Sequence, residues 1–185
     1  MGGAELMPEN PLAHEAPIVI GLHIIGSSAF CLLGALQSLP SIGQHHRNLY
    51  KNLGRIAGAG GCISVITGLV MTHQFVFSSE LQGELLYWVR MVVGTAMLAW
   101  IVYGITAIRN RNMDSHRASM MRGYALGQGA STQAFVGITW MLISGTEATG
   151  FLRDVLMTSA WLINLSVTEY LIRGRSKSPR LAFAR

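Results

Sequence analysis

Charge is scarce in this chain: only 12% of its 185 residues are Asp, Glu, Lys or Arg, while half are apolar. That balance belongs to a protein surrounded mostly by lipid, and the length leaves no room for a soluble catalytic domain beside a membrane bundle. Cysteine is nearly absent. Cys31 and Cys62 both lie inside apolar segments, where the oxidising side could reach them only through lipid, so they read as free packing residues. There is no CxxC, HExxH, GxSxG or phosphate loop, which removes soluble-type hydrolase and kinase chemistry. No basic, aromatic-interleaved patch is present either. The formal net charge of +5 is spread over separate loops and a tail, so nucleic acid is excluded as a partner. Residues 1–16 are acidic and lack the basic stretch of a signal peptide, so the first apolar run is expected to stay as a permanent helix.

What the chain does have is five long apolar segments: Ile18–Leu39, Leu53–Phe77, Leu85–Ile108, Gly123–Gly145 and Phe151–Ile172. Each matches or exceeds the roughly 20 residues that cross a bilayer. Their connections alternate in charge. Glu5, Glu9 and Glu15 precede the first; Arg47, Lys51 and Arg55 follow it; Glu80 and Glu84 come next. Arg109, Arg111, Arg117 and Arg122 then stand against Asp114, and Arg173, Arg175, Lys177, Arg180 and Arg185 close the chain. Basic loops stay in the cytoplasm, which predicts an all-α integral membrane bundle of five transmembrane helices, N-terminus outside and C-terminus cytoplasmic. The expected organisation is an extracytoplasmic tail over 1–17, a transmembrane domain over 18–172 and a basic cytoplasmic tail over 173–185.

Pro17 and Pro40 bracket the first helix, where a missing backbone donor costs little. His23, Ser27, Gly34 and Ser38 recur at helical spacing and define a face turned to other helices. Gly54, Gly58, Gly60, Gly61 and Gly68 make the second helix the expected centre, with Gly54 and Gly58 as a GxxxG pair. Arg90 is expected beside Glu84 or Asp154 near the outer boundary, which Tyr87 and Trp88 mark. The fourth helix, with Gly123, Gly127, Gln128, Ser131, Thr132 and Gln133, carries too many hydrogen-bonding side chains for a lipid-facing helix and should be enclosed. An odd number of spans without an evident repeat argues against a repeat-built transporter. The stretch Met91–Ile101, whose one small polar residue is Thr95, argues against a channel.

Two layers of side chains are candidates for chemistry. His23 and His73 lie at ~6–8 Å below the outer boundary, counted at about 1.5 Å per residue. Two imidazoles at one depth suit axial ligation of a haem b, which makes them candidate metal ligands. The plainer alternative is a hydrogen bond from each to a neighbouring helix. A second layer gathers Gln37, His45, His46, Arg55, His116, Arg122, Gln128 and Glu169 at the cytoplasmic ends, with Asn164 on the fifth helix above it. Glu169 needs a cation, Arg55 or Arg122. The layer serves either as an ion-paired lock or as a pocket for an anionic headgroup, a quinone or a haem propionate.

The run His116-Arg117-x-x-Met120-Met121-Arg122-x-Tyr124-Ala125-Leu126 is its most specific feature. With Leu53-Gly54-Arg55-Ile56, His23, Gln37 and Asn164-Leu165-x-Val167-x-Glu169-x-Leu171-Ile172-Arg173, it resembles a bacterial membrane-protein family catalogued as a domain of unknown function, over about residues 20–175. The resemblance implies an all-helical inner-membrane fold and a role for the cytoplasmic polar layer, without a reaction. Tyr50-Lys51 stands where the family reads His-Arg, Ser119 where it reads Trp, and Gln133-Ala134 where relatives place an arginine. The expectation is thus a small multi-pass bacterial inner-membrane protein, either a haem- or quinone-interacting redox protein or a non-catalytic accessory subunit. Its partners would be the bilayer and another membrane protein or a second copy.

Overall fold

The computed structural model of the chain describes residues 16–39, 45–75 and 77–177. Glu5, Glu9, Glu15, Pro40, Arg180 and Arg185, together with the side chains of Arg175 and Lys177, lie outside what is described, so readings that rest on them are not addressed. The described residues form helices without strands: α1 Pro17–Gln37, α2 Arg47–Gln74, α3 Glu84–Arg109, α4 Met113–Gly127, α5 Gly129–Ser144 and α6 Gly150–Lys177. Among them α1, α2, α3 and α6 are each long and apolar enough to cross a membrane. The remaining apolar segment is not one straight span. It starts ten residues earlier than the hydropathy run, where the Asn112 side chain accepts from the Ser115 N–H at 3.0 Å, and it bends at Gln128 into α4 and α5.

Pro17 opens α1 as expected. Consecutive spans run antiparallel, α4 and α5 together making one, so Arg47, Lys51, Arg55, Arg109, Arg111, Arg117 and Arg173 share one end, the basic end, while Glu80, Glu84 and Glu147 share the other. α1 and α2 pack backbone to backbone: a Cβ on Gly26 would sit 2.8 Å from the Gly60 carbonyl oxygen. The close glycine approach is thus Gly26 to Gly60 across two helices. Of the expected GxxxG pair, Gly54 faces the Gln37 side chain, and Gly58 meets nothing nearer than Ile105 at 3.9 Å. The core is built around Phe30, whose ring lies over Gly61 of α2 and Gly127 of α4, with Val65, Met97, Ile101 and Leu126 closing round it. A Cβ at either glycine would come within 2.7 Å of that ring, so the two glycines make its seat.

α4, the first part of the segment expected to be enclosed, is more central than α2, which packs on α1 and α3. α4 touches α1, α3, α5 and α6, and its Ser119, Gly123, Ala125 and Leu126 are buried. Beyond the bend the enclosure ends. α5 rests on α6 and the end of α4, and Phe135, Ile138, Leu142 and Ile143 are exposed. The expectation that the whole fourth segment is enclosed is therefore corrected: its polar residues are concentrated near the bend, and the apolar remainder presents the side chains lipid accepts.

Candidate functional site

The polar side chains of the bundle form three groups, and the bend in the fourth segment organises the first. At a bend, carbonyls one turn before the break lose their helical partners and must find others, because hydrocarbon offers none. Here α6 supplies them. The Asn164 amide donates to the Ala125 carbonyl at 3.1 Å, and the Trp161 indole N–H donates to the Leu126 carbonyl at 3.1 Å. The Thr132 hydroxyl donates to Asn164 Oδ1 at 2.9 Å, which fixes the amide's orientation. One turn on, the Gln133 amide donates to the Met157 carbonyl at 3.1 Å. Gly129 has to be glycine, since a Cβ there would overlap the Trp161 ring. On the other side of α4, the Tyr124 hydroxyl donates to the Cys31 carbonyl at 3.0 Å, and the Gln128 carboxamide lies beside that hydroxyl and the Cys31 thiol.

The second group stands nearer the basic end. Arg122 of α4 holds Glu169 of α6 through two hydrogen bonds, from Nε to Oε1 and from Nη2 to Oε2 at 3.0 Å. The guanidinium also stacks on the Trp100 ring of α3, 4.8 Å from its centroid. One cation thereby ties three helices, in the bidentate and stacked geometry that lysine cannot reproduce. Of the two cations expected as partners of Glu169, Arg122 takes it, while Arg55 is exposed on α2. His116 donates from Nδ1 to the Gly104 carbonyl at 2.8 Å, and the Gln37 amide donates to the Tyr50 carbonyl of α2. Each again joins two helices. Tyr50 also points its hydroxyl back to the Gln37 carbonyl at 3.4 Å.

The third group comprises the imidazoles toward the acidic end. His23 donates from Nδ1 to the Ser64 carbonyl at 2.9 Å, with the Thr67 hydroxyl at 3.1 Å. His73 pairs through Nδ1 with the Tyr87 hydroxyl of α3 at 3.1 Å. At about 100° per residue, His73 leaves α2 on a face turned ~120–180° from Ser64 and Thr67. The structure therefore seats the two histidines on different faces of α2 and does not bring them face to face. The Gly26–Gly60 contact, one turn from His23, leaves no room for a porphyrin between α1 and α2 beside that imidazole.

One strongly placed residue has a role that the sequence reading, which named it only as a partner for Arg90, did not assign. Asp154 of α6 is 2% exposed, and its carboxylate accepts from the Gly83 N–H at 3.1 Å and the Leu86 N–H at 3.2 Å, capping α3 from another helix. Arg90, expected beside Glu84 or Asp154, lies within electrostatic range of Asp154, donates to Gln82 and lies over the Phe77 ring at 5.9 Å. The signal for Asp154 was the glycine that opens α3: Gly83 leaves the space its carboxylate fills. Gly150 N–H to the Glu80 carbonyl and Arg153 Nε to the Leu81 carbonyl complete this clamp. Both cysteines are free. Among the described residues no three His, Cys, Asp or Glu side chains gather as a metal site.

Compared with known proteins, residues 20–172 match the model of a family described as predicted membrane protein (DUF2306). No curated protein matches, and no solved structure matches.

Proposed function

The chain belongs to this family of predicted membrane proteins, DUF2306, and from that premise we propose that it is a non-catalytic accessory or scaffold subunit of a membrane complex. One observation carries the reading. The side chains with chemical potential are committed to holding helices together: His23, His73, His116 and Gln37 each bridge two helices, while Asn164, and Arg122 with Trp100 and Glu169, each bridge three. The glycine-rich faces of α2 are likewise spent inside the bundle. We assign the partner to α5, which packs on fewer helices than α4 does, leans on α6 and shows Phe135, Ile138, Leu142 and Ile143 outward. We place the protein in the bacterial inner membrane with its basic end in the cytoplasm, on the strength of the charge asymmetry between its two ends.

A second reading, haem b ligation, has one observation in its favour. His23 and His116 both donate Nδ1–H to a backbone carbonyl, which leaves Nε2 with its lone pair and is how ligating histidines are commonly held. A single preparation decides between them. Protein extracted from haem-replete membranes in mild detergent is expected to show no Soret band and to migrate above its 20.1 kDa chain mass, as part of a complex. Ile138→Trp with Leu142→Trp on α5 is expected to release it from that complex with the fold intact. A Soret band that disappears in His23→Ala or His116→Ala would overturn the accessory reading in favour of haem.

A further inference from the structure

The turn between α3 and α4 is closed by a paired hydrogen-bond motif: Arg111 N–H to the Ile108 carbonyl at 3.1 Å and Asn112 N–H to the Ala107 carbonyl at 2.9 Å. This arrangement needs a left-handed residue at its fifth position, where glycine is the usual choice. The chain places Arg111 there, at φ 58°, its only non-glycine residue of positive φ among those described. A cation is thus held at a backbone position that glycine would fill with less strain. Its neighbours are cations too. Gly58 opposes Ile105 and Leu69 opposes Gly94, so the antiparallel register of α2 and α3 brings Arg55 level with Ile108–Arg109 and Lys51 level with Arg111–Asn112. Lys51, Arg55, Arg109 and Arg111 are all exposed at this one end. Among the described residues the acids of that end are Asp114 and Glu169, and Glu169 is held by Arg122.

We infer that Lys51, Arg55, Arg109 and Arg111 form a binding site for the phosphate group of an anionic phospholipid, where α2 and α3 run side by side at the basic end. A diffusible phosphate would need only the cations. This end also exposes Ile108 at the end of α3 and Met113 at the start of α4 beside them, which gives acyl chains an apolar surface next to the charge. Each cation near an anionic headgroup is worth about a fivefold change in lipid affinity.

The test uses the full chain in neutral detergent, titrated with phosphatidylglycerol, with phosphatidylcholine or with inorganic phosphate, reading lipid retained by native mass spectrometry and the unfolding temperature. Phosphatidylglycerol is expected to be retained and to raise the unfolding temperature, the other two probes to do neither. Lys51→Gln with Arg55→Gln should weaken retention by more than tenfold. Arg111→Gly separates charge from strain: it should hold or raise the unfolding temperature of the lipid-free protein while weakening phosphatidylglycerol retention about fivefold. Equal retention of phosphatidylcholine, a shift produced by inorganic phosphate alone, or undiminished phosphatidylglycerol binding in these variants would each overturn the assignment.

Discussion

Asp154 is a charged side chain whose role is to complete another helix. The first N–H groups of α3 have no partner within their own helix, and water is remote from a site where the carboxylate is almost fully buried. Asp154→Ala removes both acceptors at once and strands the Gly83 and Leu86 amides, at a cost of about 1–3 kcal/mol for each buried group left unpaired. Asp154→Asn keeps one acceptor and should lose less. Gly83→Ala is expected to destabilise as well, because its Cβ would occupy the space of the carboxylate. Reversible unfolding in mixed micelles ranks the three, with Asp154→Ala expected to be clearly less stable than Asp154→Asn; equal stability of these two would show that the cap contributes nothing.

Among the elements, the bent fourth segment differs most from its hydropathy profile. Gly127-Gln128-Gly129 lowers helix propensity at one point, and α6 turns that weakness into a fixed bend by satisfying the freed carbonyls with Asn164 and Trp161. Interhelical hydrogen bonds in bilayers contribute about 0.6 kcal/mol on average and up to roughly 1.7, and the pairing of Asn164 with both Ala125 and Thr132 places it at the upper end. Asn164→Leu should therefore destabilise by about 1–2 kcal/mol. Gly129→Ala should be worse, since the Trp161 indole must move out of its hydrogen bond to admit a methyl group. A Gly129→Ala variant as stable as the parent in the same assay would contradict the packing of α5 on α6.

Across the bundle, most of the described cations gather at one end and most of the acids at the other, with Arg90 and Arg153 at the acidic end and Asp114 and Glu169 at the basic one. That segregation makes orientation testable in intact cells. With Cys31 and Cys62 replaced by Ser, Glu80→Cys should react with a membrane-impermeant maleimide added outside, and Asn110→Cys should react only after the membrane is opened. The opposite labelling pattern would invert the topology and move the basic end out of the cytoplasm.

Residue order alone is enough to show that this protein lives in lipid, roughly where each apolar segment lies, and that Glu169 requires a cation. These follow from sums over neighbouring residues: hydropathy, loop charge and the cost of an unpaired carboxylate in hydrocarbon. Only the packed helices show which cation answers Glu169, that His23 of α1 meets α2 on a different face from the one His73 leaves, that the enclosure of the fourth segment ends at its bend, and that Asp154 caps α3. Each of these depends on the rotation of one helix about its axis against another. That rotation is set where Gly26 meets Gly60 and where Phe30 finds two glycines on separate helices, contacts between residues far apart in the chain that no local pattern encodes.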